Sequence, residues 1–121
     1  MFLKNDFFTC SEFDSPDVIG SGSRMSDSFM IKLISARRLA GVVFRISSGY
    51  RTTFQNSLVG GVSDSSHLRG LACDIVCSGA LSRKLILFAL MSVGFRRVIV
   101  YDTFIHVDDD YSKVEGLFIR V

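Results

Sequence analysis

The sequence predicts an α+β domain, a small and mostly antiparallel sheet with two main helices. Three observations lead there. Two stretches carry helical periodicity between a start and a stop signal, and several short runs are rich in β-branched and aromatic residues. A polar gap of only Asp102-Thr103 separates two of those runs, which is hairpin spacing. With 121 residues, 48% of them hydrophobic, residues 1–121 make one domain with its own core.

Residues 1–25 are polar and turn-rich, with Asp14-Ser15-Pro16-Asp17 and Gly20-Ser21-Gly22-Ser23 as loop signals. Phe7, Phe8 and Phe13 are placed to pin this segment to the core. Ser26-Asp27 opens a helix that places Phe29, Met30, Leu33 and Ile34 on one face and stops at Gly41. Residues 42–47 read as a strand, Ser48 to Thr52 as a turn, and Gly60-Gly61 as a second sharp turn. Leu71 to Cys77 is the next strand. A helix follows from Ser82 to Val93, with Leu85, Phe88, Ala89 and Met91 in its register and Gly94 as its stop. Residues 95–101 and 104–108 are strands, and 117–121 adds an edge strand.

Composition excludes several functions. A net charge of +2, with basic residues paired only at Arg37-Arg38 and Arg96-Arg97, lacks the clustered stripe of a nucleic-acid binder. Leu85 to Val93 is far shorter than the roughly twenty apolar residues of a membrane span. The first eight residues lack the apolar run of a signal peptide, so the expected product is made in the cytoplasm and released by another route. Cys10, Cys73 and Cys77 cannot all pair, and positions 73 and 77 of one strand sit too far apart to bridge, so free thiols are expected. The chain looks sufficient as a monomer.

The chemistry concentrates in two places. Ser65-Ser66-His67-Leu68-Arg69-Gly70-Leu71-Ala72-Cys73-Asp74 holds one of only two histidines, with a carboxylate seven positions on. His106 interrupts the apolar run Phe104-Ile105-His106-Val107-Asp108. Two imidazoles and a carboxylate on stiff segments form the protein part of a catalytic zinc (Zn2+) site with one open position. The alternative is a core histidine and an aspartate bonded to neighbouring amides. Against it, an isolated buried carboxylate is costly without a partner.

The pattern Ser65-x-His67-x-x-Gly70-x-Ala72-x-Asp74 resembles the first zinc motif of the D-alanyl-D-alanine carboxypeptidase family. That family also includes phage L-alanyl-D-glutamate endopeptidases and shares its fold with the hedgehog signalling domain. Further blocks look similar to its small phage and bacterial members: Phe8 to Phe13, Ser48-Gly49-Tyr50-Arg51, Asn56, Val59-Gly60-Gly61, and the closing Phe104 to Asp108. The blocks span nearly the whole chain in the family order.

The resemblance implies that His67, Asp74 and His106 are zinc ligands, that Arg51 steadies the substrate carbonyl or its oxyanion, and that Ser65 contacts substrate. It implies a zinc-dependent peptidase cleaving a peptidoglycan stem peptide through a metal-activated water, as carboxypeptidase or endopeptidase, and it fits a phage lysis or entry protein. Many members carry the catalytic carboxylate three positions before the last histidine, where this chain has Thr103. Asp102 turns to the other face of a regular strand, although a hairpin turn relaxes that rule. Asp108 shares a side with His106 and is the favoured proton acceptor by geometry; its other possible role is support of the histidine. Thr103 also motivates a second reading, a non-catalytic zinc-binding module on the same fold. A third is an accessory protein without metal.

Overall fold

The computed structural model describes residues 2–120, which fold into an α+β domain. The chain forms α1 (Asp27–Ala40), β1 (Arg45–Ser48), α2 (Thr53–Leu58), β2 (Ala72–Val76), α3 (Ala80–Ser92), β3 (Arg97–Val100), β4 (Phe104–Asp108) and β5 (Gly116–Ile119). Short 3-10 turns occupy Cys10–Phe13, Ser21–Arg24 and Ser66–Arg69. The strands lie in the order β1-β2-β4-β3-β5. Among the described residues no helix is long and apolar enough to cross a membrane.

The sheet is mixed: three of its junctions are antiparallel, and β5 runs parallel to β3. The chain reverses after β4 and settles outside β3, so its direction matches β3. A run of apolar residues carries no information about pairing sense, which is why the expected edge strand gave no hint of it. Val121, part of that expected strand, lies outside the described residues, as does Met1.

Helix α1 follows its sequence signals. Ser26 caps it by accepting from the Phe29 amide, and Gly41 ends it with a φ of 69°. Its buried stripe is Phe29, Met30, Leu33, Ala36 and Ala40, with Ile34 at the margin. In α3 the expected register is rotated. Ile86, Ala89 and Leu90 face the core, while Phe88 is 63% exposed and Met91 half-exposed. This helix is apolar on most of its circumference, so periodicity alone did not single out the inner face.

Two local expectations change. The first strand starts at Arg45 rather than Val42, because Arg45 pairs with Val76, the last residue of β2, and the preceding residues extend beyond their partner. Helix α2 occupies the stretch between the Ser48–Thr52 turn and Gly60-Gly61, where no element was expected. Thr, Phe and Asn are weak helix formers, but Thr52 caps the element by accepting from the Gln55 amide at 3.1 Å. The Thr52-x-x-Gln55 spacing was the legible signal.

Alternation gives the sheet two unlike faces. Cys73, Ile75, Val98, Val100, Ile105 and Val107 point into the core against α1 and α3. Asp74, Arg97, Ile99, Phe104, His106 and Asp108 occupy the alternate positions, on the opposite face. Phe8 and Phe13 pack edge-to-face at 5.5 Å within the core, with Phe7 at its margin, so the N-terminal segment closes one end of the domain as expected. The three cysteines are unpaired.

Gly49 sits where this segment meets β1. A Cβ there would lie 2.6 Å from the Phe13 Cα, and the next amide, Tyr50, donates to the Phe13 carbonyl at 2.9 Å. Gly49→Ala should therefore destabilise the fold by about 1–3 kcal/mol through overpacking, read as a lower denaturation midpoint. An unchanged midpoint would show that the contact yields freely.

Candidate active site

His67 rides on the 3-10 turn Ser66–Arg69. Ser65 starts that turn, its Oγ accepting from the His67 amide at 3.3 Å, and Gly70 ends it with a φ of 67°. No other residue fits at Gly70, since a Cβ would meet the Arg24 carbonyl oxygen at 2.3 Å. Arg51 ties the turn to the sheet by donating its backbone N–H to the His67 carbonyl at 3.1 Å.

Asp74 and His106 are brought together by strand register. They are direct partners across the antiparallel β2–β4 pair, so their side chains leave the same face side by side. Asp74 Oδ1 lies 2.9 Å from His106 Nδ1 and 3.5 Å from His67 Nε2. The ligand atoms of His67, Asp74 and His106 all fall within 4.8 Å of one another.

The outer nitrogen of each ring decides its tautomer. His67 Nδ1 donates to the Gly49 carbonyl at 2.7 Å, and His106 Nε2 donates to Asp108 Oδ2 at 2.7 Å. Both partners are acceptors, so both outer nitrogens carry protons and both inner nitrogens are free to turn lone pairs toward Asp74. Lone pairs and a carboxylate can converge this way only around positive charge, a proton or a metal ion. The donor set fits zinc, with two neutral imidazoles, one carboxylate and an open side.

With a proton in place of a metal ion, His106 Nδ1 donates to Asp74 while Nε2 donates to Asp108. Burial would push Asp74 up, but hydrogen bonds from His106 and His67 outweigh it and hold the carboxyl well below the usual range. Burial would likewise lower His106, yet its bonds to Asp108 and Asp74 raise it above an ordinary histidine. Asp108 is depressed in turn: the His106 and Arg97 hydrogen bonds overcome the upward push of burial.

The proposed substrate residues lie around this cluster. Arg51 places Nη2 3.6 Å from Asp74 Oδ2, and it is steadied by Ser48 Oγ at 3.0 Å from Nε and Asn56 Oδ1 at 3.3 Å from Nη1. Ser65 is buried and lines the same cavity, of about 340 Å³.

The two carboxylates considered as proton acceptors are not at the open side. Asp108 has no side-chain exposure and is enclosed by Arg97 Nε at 2.9 Å, His106 Nε2 and the Asp110 amide. Same-side placement with His106 holds, but it delivers Asp108 to the rear of the ring. Asp102 is exposed on the β3–β4 hairpin turn and lines a separate shallow pocket with Thr103.

Sequence reasoning missed several participants. The Gly49 carbonyl has no side-chain signal at all. Arg97 was detectable only through register, because it pairs with Asp108. Asp110 bonds Ser66 Oγ at 2.6 Å and also engages Arg69 and Ser112, anchoring the turn that carries His67.

A small His–Asp–His cluster with one open side, two of its members on the sheet and one on a turn, has the donor set of a hydrolytic metal site. The Peptidase M15 family model matches residues 25–108, so the match takes in His67, Asp74 and His106, and the chain belongs to that family. No curated protein matches the chain.

Two outcomes follow. If the cluster holds zinc, Asp108→Asn should weaken that binding about 10–100-fold, because the orienting partner of His106 is changed; competition with a chromophoric chelator measures it. An unaltered affinity would show that Asp108 is not needed to aim the ring. Asp110 supplies the pH test. Burial pushes its carboxyl up, but Ser112, Ser66 and Arg69 outweigh it and hold it well below the usual range. A depressed folded-state pKa stabilises above the unfolded value near ~3.9 and stops doing so as pH falls. Zinc-free Asp110→Asn should thus be less stable than zinc-free wild type at pH 7, with the gap narrowing steadily as pH falls below about 4. A gap independent of pH would mean that charge is not the cause.

Proposed function

We propose that this protein is a zinc-dependent peptidoglycan peptidase that hydrolyses a stem-peptide bond. The observation that supports it most is the convergence of His67 Nε2, Asp74 Oδ1 and His106 Nδ1, with both outer ring nitrogens already committed to acceptors. Membership of a peptidase family supplies the reaction class.

In this reading His67, Asp74 and His106 hold the metal. Bound zinc would supply Lewis-acid polarisation of the scissile carbonyl and activation of water. Arg51 has its guanidinium fixed by Ser48 and Asn56 and directed toward Asp74, so it is placed to stabilise negative charge developing on the carbonyl oxygen. Ser65 holds the His67 turn and offers a hydroxyl at the cavity wall. Asp108 serves by aiming His106. Asp102 is the proton acceptor only if the hairpin turn carrying it swings over the cavity.

That last point gives the second reading its footing. Among the described residues Asp74 is the only carboxylate lining the cavity, as expected if the chain is a non-catalytic zinc-binding module. One set of measurements separates the two. The peptidase reading expects one zinc per chain and stem-peptide cleavage abolished by chelator and by His67→Ala. It also expects Arg51→Ala to keep zinc while losing about 100-fold in kcat. Stoichiometric zinc with no turnover on any stem peptide establishes the binding module instead.

A further inference from the structure

Charge around the cavity is lopsided. Arg51, Arg97, Lys113 and Arg120 all line it, against Asp74 as its one carboxylate among the described residues. Arg51 and Arg97 have carboxylate partners, Asp74 at 3.6 Å and the fully buried Asp108 at 2.9 Å, which leaves Lys113 and Arg120 as the freer cations. Arg97 Nε shares Asp108 with His106. The partly buried Lys113 ammonium meets Asp64 at 3.0 Å, but that carboxylate is 72% exposed, and such surface pairs are weak. Arg120 lies 5.8 Å from the Phe118 ring and makes no ion pair among the described residues. A resident zinc would add two further positive charges.

The placement follows from the fold. Phe118 pairs with Ile99 on the site face, and Arg120, two residues on, returns to that face. With Tyr101 and Phe104, whose rings stack at 4.4 Å, Arg120 lines both the main cavity and the shallow pocket beside it. Lys113 and Arg120 lie beyond residue 108, where the family match ends. A concave site walled by one sign of charge concentrates the opposite sign within it.

We propose that this site selects acidic peptides, with Lys113 and Arg120 binding a free carboxylate near the scissile bond and disfavouring the same peptide carrying a carboxamide there. The inference rests on the peptidase reading and adds the specificity of the site. A carboxylate accepts charge-assisted hydrogen bonds from ammonium and guanidinium groups alike, each about twice as strong as a neutral one. A carboxamide of the same shape loses the charge and turns N–H donors toward ammonium and guanidinium groups.

The test uses zinc-loaded protein and three synthetic stem peptides of otherwise identical sequence: one unmodified, one amidated at the α-carboxyl of the second residue, and one amidated at the side-chain carboxyl of a diaminopimelate third residue. The unmodified peptide should show kcat/KM at least about 10-fold above one of the amidated forms. Lys113→Gln and Arg120→Gln should raise KM for the preferred peptide about 10-fold, leave kcat nearly unchanged, and barely alter the disfavoured one. Equal kcat/KM for all three peptides, or variant losses equal on all three, overturns the proposal. Arg120 is exposed, so its variant keeps the test valid if Lys113→Gln unfolds. If no peptide is cleaved, the peptidase reading has failed separately. Calorimetric titration of the same peptides then decides the charge preference: tighter binding of the unmodified peptide upholds it, and equal binding ends it.

Discussion

Asp74 faces His106 across the β2–β4 pair, and the rest of the site is built outward from that one register. Antiparallel partners are held a few ångströms apart by backbone hydrogen bonds that no side chain has to supply. A shift of one residue would send Asp74 into the apolar core and Cys73 or Ile75 into the cavity. The apolar alternation of Cys73, Ile75, Ile105 and Val107 against α1 and α3 makes that shift prohibitive. The hydrophobic core is thus what fixes the geometry of the polar face.

His67 is joined to this pair by different means. It comes from a turn rather than a strand, so its position depends on local constraints stacked together. Ser65 starts the turn, Gly70 ends it in a left-handed conformation, Asp110 grips Ser66, and the Gly49 carbonyl holds the ring itself. Each is a hydrogen bond or steric limit of modest size. Together they leave the imidazole nearly buried with a single orientation, which is what a metal ligand needs. The outer partners, Gly49 and Asp108, also make the burial of two histidines tolerable, since each ring's far nitrogen is satisfied.

Much of the architecture was legible before the structure. Ser26, Gly41 and the spacing of Phe29, Met30 and Leu33 define α1, and the two-residue gap at Asp102-Thr103 defines the β3–β4 hairpin. Helix α3 was legible in extent but not in facing, because Phe88 and Met91 are as apolar as the residues that reach the core. Helix α2 was obscured by weak propensity despite the Thr52 cap. The parallel partnership of β5 had no local signature at all.

By itself the sequence determined the order of the strands and the two long helices, the three candidate ligands and the family blocks that carry them, because caps, periodicity and short motifs are properties of neighbouring residues. Tertiary structure decided which way each side chain is used. It turned Asp108, the favoured proton acceptor along the chain, behind His106 and left Asp102, the other candidate, on an exposed turn. It also gathered Arg51, Arg97, Lys113 and Arg120, scattered over 70 positions of a chain whose net charge is only +2, around one cavity. Charge density in a pocket depends on which distant segments the strand order places side by side, and composition holds no record of that order.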